Sequence, residues 1–257
     1  MTNSLIGLSR EEKLELLQLL EEKHKRQEDK VKYNKIDSLF PKEGPLRKEL
    51  YTKMQEFFRA GSNHKIRLFL AGNRIGKTTG VGCEFVYHAT GNYPDDWAGY
   101  RFDKADNWWI CGTDSKAIID TIQPMLLGPM GSYGTGLIPR DCLDLDSLPN
   151  LQTSGKIISS FRIKHKSGDY CTVTFKTYKS DVDTFQSFEG SIWIDEECPL
   201  DIYAECLKRT MGKHIMMVTF TPLKGATPLI KQLVGNNPKA TGSIGEVIKT
   251  FPKPEAA

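Results

Sequence analysis

One short stretch, residues 66–79, constrains the fold of this chain more than any other. An apolar run from Ile66 to Ala71 predicts a buried strand, and a glycine-bearing loop joins it to a run that favours a helix. A strand, a glycine loop and a helix in this order are typical of a phosphate-binding loop. The alternative is a glycine-rich turn that ends in a surface lysine, and the order of the elements favours the phosphate loop.

The loop carries the residue types that phosphate chemistry needs. Gly72 and Gly76 let backbone N–H groups approach phosphate oxygens, and the helix N-terminus adds the positive end of its dipole. Lys77 is expected to reach the β- and γ-phosphates, and the Thr78 hydroxyl to bind Mg²⁺. The predicted nucleotide-binding residues are Ala71, Gly72, Asn73, Arg74, Ile75, Gly76, Lys77, Thr78 and Thr79. Ala71 stands where such loops usually have glycine, and Arg74 is a candidate contact to the γ-phosphate or to a neighbouring subunit.

The length of 257 residues fits one large α/β domain with an appendage. Hydrophobic residues make up 39% and charged residues 26%, which is ordinary for a soluble protein. No apolar run approaches the roughly 18 residues of a membrane span, and Glu11 and Glu12 argue against a signal peptide.

The net charge of the chain is only +3, so a surface that binds nucleic acid would be a local patch. The six cysteines form no CxxC pair and are expected to be reduced core thiols.

Turn and helix signals divide the chain into three parts. Residues 1–44 are predicted to form a helical appendage and linker, residues 45–240 a nucleotide-binding domain, and residues 241–257 a basic tail. Ser9 and Glu12 form a capping-box signature within the appendage. Strands alternate with helices after residue 66, which predicts a mostly parallel sheet flanked by helices. Residues 128–155 hold several Gly and Pro and are expected to form a long functional or mobile loop.

Residues 156–179 predict a β-hairpin, because two alternating runs flank the turn at residues 167–169. One face carries apolar residues and the other carries Arg162, Lys164, Lys176 and Tyr178. Two interpretations remain open for the basic face. It is either a solvent-facing edge whose lysines discourage aggregation or a surface that contacts phosphate backbones.

A second motif follows the apolar strand that ends at Ile194. Asp195 would lie at the strand tip beside Mg²⁺, and Glu196 would leave the strand and polarise the attacking water. Together with the phosphate loop, this pattern indicates a hydrolytic nucleotide site. Glu197 and Asp114 are rivals for the catalytic carboxylate, and Glu196 is favoured because it is adjacent to the metal-binding aspartate.

Four further positions carry weaker signals, and a fifth is a loose candidate. Thr219 and Thr221, at the end of the next strand, are candidates to sense the γ-phosphate and couple hydrolysis to movement, or are ordinary strand and turn residues. Tyr51 and Gln55 lie one helical turn apart and are candidates to stack on and hydrogen-bond an adenine, or are part of an amphipathic helix. Arg209 is a candidate arginine finger, although a surface salt bridge is favoured.

The order of Gln55, AGNRIGKT, IWIDEE and TFTP resembles the ATPase domain of the large terminase subunit of tailed bacteriophages. The resemblance runs from about Leu46 to Val234. It implies a P-loop NTPase fold of the ASCE type, in which Lys77 and Thr78 bind phosphate and Mg²⁺, and we expect the hairpin of residues 156–179 to be an insertion in this fold. By the same matching, Asp195 holds Mg²⁺, Glu196 activates water, and Thr219 to Thr221 couple. Arg74 sits one residue later than the loop arginine of some members.

The resemblance also implies an activity and partners. The expected function is Mg²⁺-dependent ATP hydrolysis that moves double-stranded DNA into a procapsid, in the host cytoplasm, by a ring of subunits working with a portal protein and a small terminase subunit. The nuclease domain of full-length members is expected to be absent. A helicase-like ATPase and a nucleotide-gated interaction module without turnover remain as alternatives.

Overall fold

The computed structural model describes residues 9–41, 43–44, 47–72, 74–148, 158–222, 225, 227–234 and 247–252. Its α-helices are α1 (Arg10–Tyr33), α2 (Ile36–Leu39), α3 (Thr52–Ala60), α4 (Lys77–Thr90), α5 (Ser115–Ala117), α6 (Gln123–Leu127), α7 (Leu200–Arg209) and α8 (Pro228–Val234). A π-helical turn, Ile118–Ile122, joins α5 to α6. The strands are β1 (His64–Leu70), β2 (Trp108–Gly112), β3 (Leu143–Asp144), β4 (Ser160–Lys164), β5 (Tyr170–Thr177), β6 (Ser191–Asp195), β7 (Met216–Phe220) and β8 (Val247–Pro252).

The strands of the described residues form one sheet in the order β3-β4-β5-β2-β6-β7-β1-β8. The five strands from β5 to β1 in this order are parallel to their neighbours. β4 and β8 pair antiparallel at the two sides of this parallel core. The prediction of a mostly parallel sheet flanked by helices is therefore confirmed.

Helices cover both faces of the sheet because its central strands are apolar on both sides. Adjacent residues of a strand point to opposite faces. Phe69 accordingly packs in the cluster that contains α3 and α4 side chains, such as Phe57 and Phe85. Leu68 packs in the cluster that contains α7 and α8 side chains, such as Ile202. The parallel strands are thereby held in a buried core, which fixes the relative positions of their ends.

Helix α4 runs through the interior and is anchored by charge as well as by packing. Arg67 of β1 is fully buried, and its Nη1 lies 2.8 Å from Oε1 of Glu84 in α4. The same guanidinium nitrogen donates to the Phe57 carbonyl at 2.8 Å, and His88 Nε2 lies 3.2 Å from Oε1 of Glu84. Burial lowers the pKa of His88. This network joins α4 to the strand that precedes it.

The predicted hairpin is present but is not an insertion. β4 and β5 pair antiparallel, with Phe161 opposite Val173, as the alternation predicted. β5 also pairs in parallel with β2 along the whole of β2, so the hairpin extends the central sheet. Alternation reveals which face of a strand is buried but does not reveal its second neighbour, and this is why the sequence suggested an insertion.

The described part of the predicted 128–155 loop is packed. Leu137 and Ile138 are buried, and their N–H groups donate to Met125 and Leu126 carbonyls at 2.9 and 3.0 Å. Residues 149–157 lie outside the described residues. The described part of this segment, residues 128–148, is therefore a connection that packs against the domain rather than an exposed loop.

The described segments near the two ends of the chain differ, since one is a helix that buries no residue and the other is a strand of the sheet. The capping box is confirmed, since Glu12 N donates to Ser9 Oγ and Ser9 N donates to the Glu12 carboxylate. Helix α1 buries no residue. At the other end, β8 lies inside the segment predicted as a tail, so residues 247–252 belong to the sheet.

The six cysteines are all free and buried, as expected for reduced core thiols. In the described part of the chain, no helix has the length and apolarity that a membrane span requires.

Candidate functional site

The site lies where β1, β6 and β7 end. These strands are parallel, so their carboxyl ends meet at one edge of the sheet, where α/β proteins commonly bind ligands. β7 lies between β1 and β6. The loop that follows β1 therefore faces the end of β6 across the end of one intervening strand.

The loop after β1 leads directly into the first turn of α4. Gly76 has a φ of 85°, a left-handed conformation that glycine adopts without steric cost, and α4 begins at the next residue. Ala71 is buried and does not need this freedom, because its φ is not positive. The substitution of alanine for the usual glycine is thus compatible with the loop's conformation.

Lys77 points back into this loop. Its Nζ donates to the carbonyls of Ala71 and Gly72 at 3.0 and 2.6 Å, and to Oγ1 of Thr221 at 2.9 Å. Burial lowers the pKa of Lys77, while the charges of Glu196 and Asp195 raise it. The ammonium group is therefore held at the site by oxygen acceptors and faces two carboxylates.

Asp195, at the tip of β6, is the most strongly perturbed acid of the site. Its Oδ1 accepts hydrogen bonds from Thr78 Oγ1 at 3.0 Å and from Thr219 Oγ1 at 2.7 Å. Burial raises the pKa of Asp195 to about 6, against the lowering effects of the two threonine hydroxyls and Lys77. Thr219 also accepts from the indole N–H of Trp193 at 3.2 Å, which fixes the orientation of its hydroxyl.

Glu196 turns away from the strand in an unusual conformation. Its φ is 66°, which is sparsely populated by residues other than glycine, and its N–H donates to the Thr219 carbonyl at 2.7 Å. Its carboxylate raises the pKa values of both Lys77 and Asp195. The sequence-predicted water-activating residue is thus electrostatically coupled to both.

The two rival carboxylates are engaged differently. Asp114 caps α5 by accepting from Ala117 N at 2.9 Å and pairs with Lys179 at 3.2 Å, and these bonds lower its pKa. Glu197 is partly buried. Burial raises the pKa of the neighbouring Cys198, and the negative charge of Glu197 raises it further. Asp114 is thus held by a helix cap and an ion pair, and the choice of Glu196 over Glu197 stays a prediction.

The other residues of the loop make fewer contacts than Lys77 and Thr78. Arg74 is exposed and has a left-handed φ of 62°, and Ile75 is also exposed. Thr79 lies in the first turn of α4. Asn73 lies outside the described residues. The roles predicted for Arg74 and Asn73 stay predictions.

Tyr51 and Gln55 lie on the α3 side of the molecule. The Tyr51 ring meets Phe40 edge to face at 5.4 Å. Gln55 lines a cavity of about 300 Å³ together with Tyr87 and Trp97. Within this cavity, Tyr87 marks a point on α4 that lies ten residues after Lys77, roughly 15 Å from it along the helix axis. Adenine recognition by Tyr51 and Gln55 stays a prediction.

Arg209 does not lie at the tip of β6. Its carbonyl accepts from Gly190 N, just before β6 begins, whereas Asp195 ends that strand roughly 16 Å away. Its guanidinium pairs with Glu205 at 3.4 Å. The salt bridge that the sequence favoured is therefore confirmed.

The basic face of the hairpin is mixed in character. Lys164 is exposed, and Arg162 is exposed but pairs with Asp144 at 2.6 Å. Lys176 donates to the Thr184 carbonyl at 2.8 Å and lies over the Trp109 ring. Lys176 is thus already held by the protein.

The sequence analysis missed two residues at the site, Tyr178 and Trp193. The alternation groups Tyr178 with the basic face, yet its hydroxyl lies 2.8 Å from the Asp195 carbonyl and 3.2 Å from the Glu196 carbonyl. No local pattern signals this, because the contact crosses from the end of β5 to the end of β6. Trp193, the other missed contact, shows only as an apolar strand residue.

These groups suit a nucleotide with Mg²⁺. Magnesium takes oxygen ligands and commonly uses one or two carboxylates together with substrate phosphates. Thr78 and Asp195 offer a hydroxyl and a carboxylate oxygen 3.0 Å apart at the N-terminus of α4. Among the residues that the structure describes, no cluster of three or more His, Cys, Asp or Glu suited to a metal occurs.

Comparisons with known proteins bear on this site. A family model described as terminase large subunit, T4likevirus-type, N-terminal, matches residues 68–249. The chain is 30% identical over 260 residues to the large terminase subunit of Salmonella phage P22, with 92% of this chain and 49% of that protein covered. A solved structure of the large terminase from a thermophilic bacteriophage matches 66% of this chain and 37% of its own, with 13% identity and a TM-score of 0.40. The chain thus spans about half the length of its P22 relative. Since the family model covers more than half of the sequence, the chain belongs to the large terminase subunits.

Proposed function

We propose that this chain is the ATPase motor domain of a phage large terminase, a P-loop NTPase of the ASCE type that hydrolyses ATP to move double-stranded DNA into a procapsid. The sheet order supports this assignment, since β7 separates the strand before the phosphate loop from the strand that ends in Asp195-Glu196. Asp195 and Glu196 thereby lie one strand away from the phosphate loop.

One observation carries the proposal. Lys77, Thr78 and Asp195 are joined by hydrogen bonds to each other or to the threonines at the end of β7. The groups come from three segments that are far apart in sequence. A surface lysine in a simple glycine turn would not be held by a threonine from another strand.

Each residue then has a role that its position supports. Backbone N–H groups at the start of α4 and the Lys77 ammonium bind the phosphates. Thr78 and Asp195 would hold Mg²⁺, which neutralises charge on the β- and γ-phosphates when bound. Glu196 orients a water and accepts its proton, since its carboxylate already interacts with Lys77 and Asp195.

Coupling is proposed to run through β7. Thr219 contacts Asp195, and Thr221 contacts Lys77, so the end of one strand touches both halves of the site. When Lys77 turns toward phosphate, it leaves the oxygen acceptors of the loop and Thr221. Nucleotide binding and hydrolysis would thereby change the contacts of the β7 end, which supports a role in driving movement.

The partners follow from the family rather than from this site. We propose double-stranded DNA, a portal protein and a small terminase subunit as partners, a homo-oligomeric ring as the working assembly and the host cytoplasm as its location.

Measurement of Mg²⁺-dependent ATP hydrolysis with and without duplex DNA tests the proposal. Lys77→Ala is expected to abolish hydrolysis, while Lys213→Ala, at an exposed lysine, leaves the rate unchanged. A slow basal rate is compatible with the proposal, because an arginine supplied by a neighbouring subunit contributes about 10³–10⁵ in related enzymes. Tight ATP binding without turnover under every condition would favour a nucleotide-gated module. Strand separation during movement on duplex DNA would favour a helicase.

A further inference from the structure

The turn at Asp195 and Glu196 brings two consecutive carbonyl groups together. In an extended strand, successive carbonyls point in opposite directions. Here the left-handed φ of Glu196, 66°, directs the carbonyls of Asp195 and Glu196 to the same point. Two carbonyl oxygens that converge repel each other unless a donor lies between them.

The Tyr178 hydroxyl is that donor. It lies 2.8 Å from the Asp195 oxygen and 3.2 Å from the Glu196 oxygen. It also lies 3.1 Å from the carbonyl oxygen of Cys111, at the end of β2. Burial raises the pKa of Tyr178 well above its ordinary value, so the hydroxyl keeps its proton and remains a donor.

Tyr178 reaches this point from two strands away. Its own N–H donates to the Gly112 carbonyl at 3.0 Å, which fixes its backbone to the end of β2. The hydroxyl then crosses β2 to the end of β6. On the opposite side, Glu196 N donates to the Thr219 carbonyl of β7 at 2.7 Å. The turn is therefore held from both sides, by Tyr178 after β5 and by Thr219 of β7.

We propose that Tyr178 is a positioning residue, which holds the left-handed turn and so directs the Glu196 carboxylate toward Lys77 for ATP hydrolysis. The inference rests on the proposed function. Non-glycine residues in left-handed conformations cost energy and persist only where the surroundings hold them. Without the hydroxyl, the turn would relax toward the extended conformation of the strand, and relaxation would swing the Glu196 side chain away.

The test compares Tyr178→Phe with Tyr170→Phe, which removes the same atom from an exposed tyrosine at the start of β5, the strand that Tyr178 follows. Tyr178→Phe is expected to lower kcat for Mg-ATP by about 5- to 100-fold, the range for loss of one buried hydrogen bond from the reactive arrangement. The KM for ATP and the Kd of a non-hydrolysable ATP analogue should stay within about twofold of wild type, because the phosphate-binding residues are untouched. Tyr170→Phe should behave as wild type.

A second comparison separates positioning from simple destabilisation. In a Glu196→Gln background, Tyr178→Phe should have no further effect on the residual rate, because residues that act as a unit are not additive. Hydrogen exchange at Glu196 N should become about tenfold faster in Tyr178→Phe, while exchange at Ile192 N in the same strand stays unchanged.

Several outcomes would overturn the inference. They are an unchanged kcat in Tyr178→Phe, an equal loss of rate in the Glu196→Gln background, or a general loss of fold that assigns the hydroxyl to stability alone. Failure of the proposed function looks different. In that case the wild-type protein itself would not hydrolyse ATP, or Lys77→Ala would leave hydrolysis intact.

Discussion

Replacing Thr219 by valine removes a hydroxyl from the site while keeping the side-chain shape. Thr219 is 1% exposed, so no water replaces the lost group. The change breaks the 2.7 Å bond to Asp195 and leaves the indole N–H of Trp193 without its acceptor. A hydrogen bond to a charged group contributes about 1.5–3 kcal/mol, and an unpaired buried donor costs about 1–3 kcal/mol. We expect the free energy of unfolding to fall by roughly 2–4 kcal/mol and Tm by roughly 4–16 °C.

The same change should shift the pH dependence of activity. The Thr219 hydrogen bond lowers the pKa of Asp195, which burial has raised to about 6. Its loss therefore raises that pKa further, and the acidic limb of kcat/KM for Mg-ATP, which reports groups of the free enzyme, should move to higher pH. Thr219→Ser, which keeps the hydroxyl, is the matched control and should retain the wild-type profile.

The assay combines thermal unfolding with initial rates of ATP hydrolysis across pH. A double-mutant cycle with Trp193→Phe isolates the indole contact, since removing both partners relieves the unpaired donor. The coupling energy is expected to be about 1 kcal/mol or more. A Thr219→Val protein with wild-type stability and an unshifted acidic limb would refute this reasoning.

The remaining predictions concern charge. The pKa of Asp195 is raised from its ordinary value of 3.8 to about 6, so this group's contribution to the stability of the nucleotide-free protein falls as pH rises through that window. Asp195→Asn should therefore raise the free energy of unfolding of the nucleotide-free protein at neutral pH by roughly 1–3 kcal/mol. It should also remove the stabilisation by Mg-ATP, and thermal unfolding measures both effects. Glu84→Gln leaves the buried Arg67 uncompensated and should cost roughly 3–5 kcal/mol in chemical denaturation, and a loss below about 1 kcal/mol would contradict the buried ion pair. Arg162→Glu with Lys164→Glu should reduce the salt dependence of DNA binding, and an unchanged slope would reject a phosphate-contacting hairpin.

The sequence predicts well what is local. The strand, loop and helix around Lys77 follow from short-range pattern, and Asp195 follows from the apolar strand that it ends. Their meeting could be expected, because parallel strands end at the same edge of a sheet. The same argument makes Thr219 and Thr221 candidate site residues, because they lie at the end of another strand of the sheet.

The sequence predicts poorly what depends on strand order. Nothing local to residues 156–179 indicates that β5 lies beside β2, and Tyr178 therefore looked like part of an exposed face. β8 was missed because Lys249 and Pro252 interrupt a short apolar run. The left-handed φ of Glu196 could not be predicted either, since the groups that bond to this turn, Tyr178 and Thr219, are distant in sequence.

Single-turnover hydrolysis of Mg-ATP by wild type, Glu196→Gln and Glu197→Gln tests the central claim most directly. Loss of a general base costs about 10²- to 10⁴-fold in rate. We expect Glu196→Gln to bind ATP as tightly as wild type and to lose hydrolysis by this factor, while Glu197→Gln hydrolyses at close to the wild-type rate. Hydrolysis by Glu196→Gln at the wild-type rate would contradict the account.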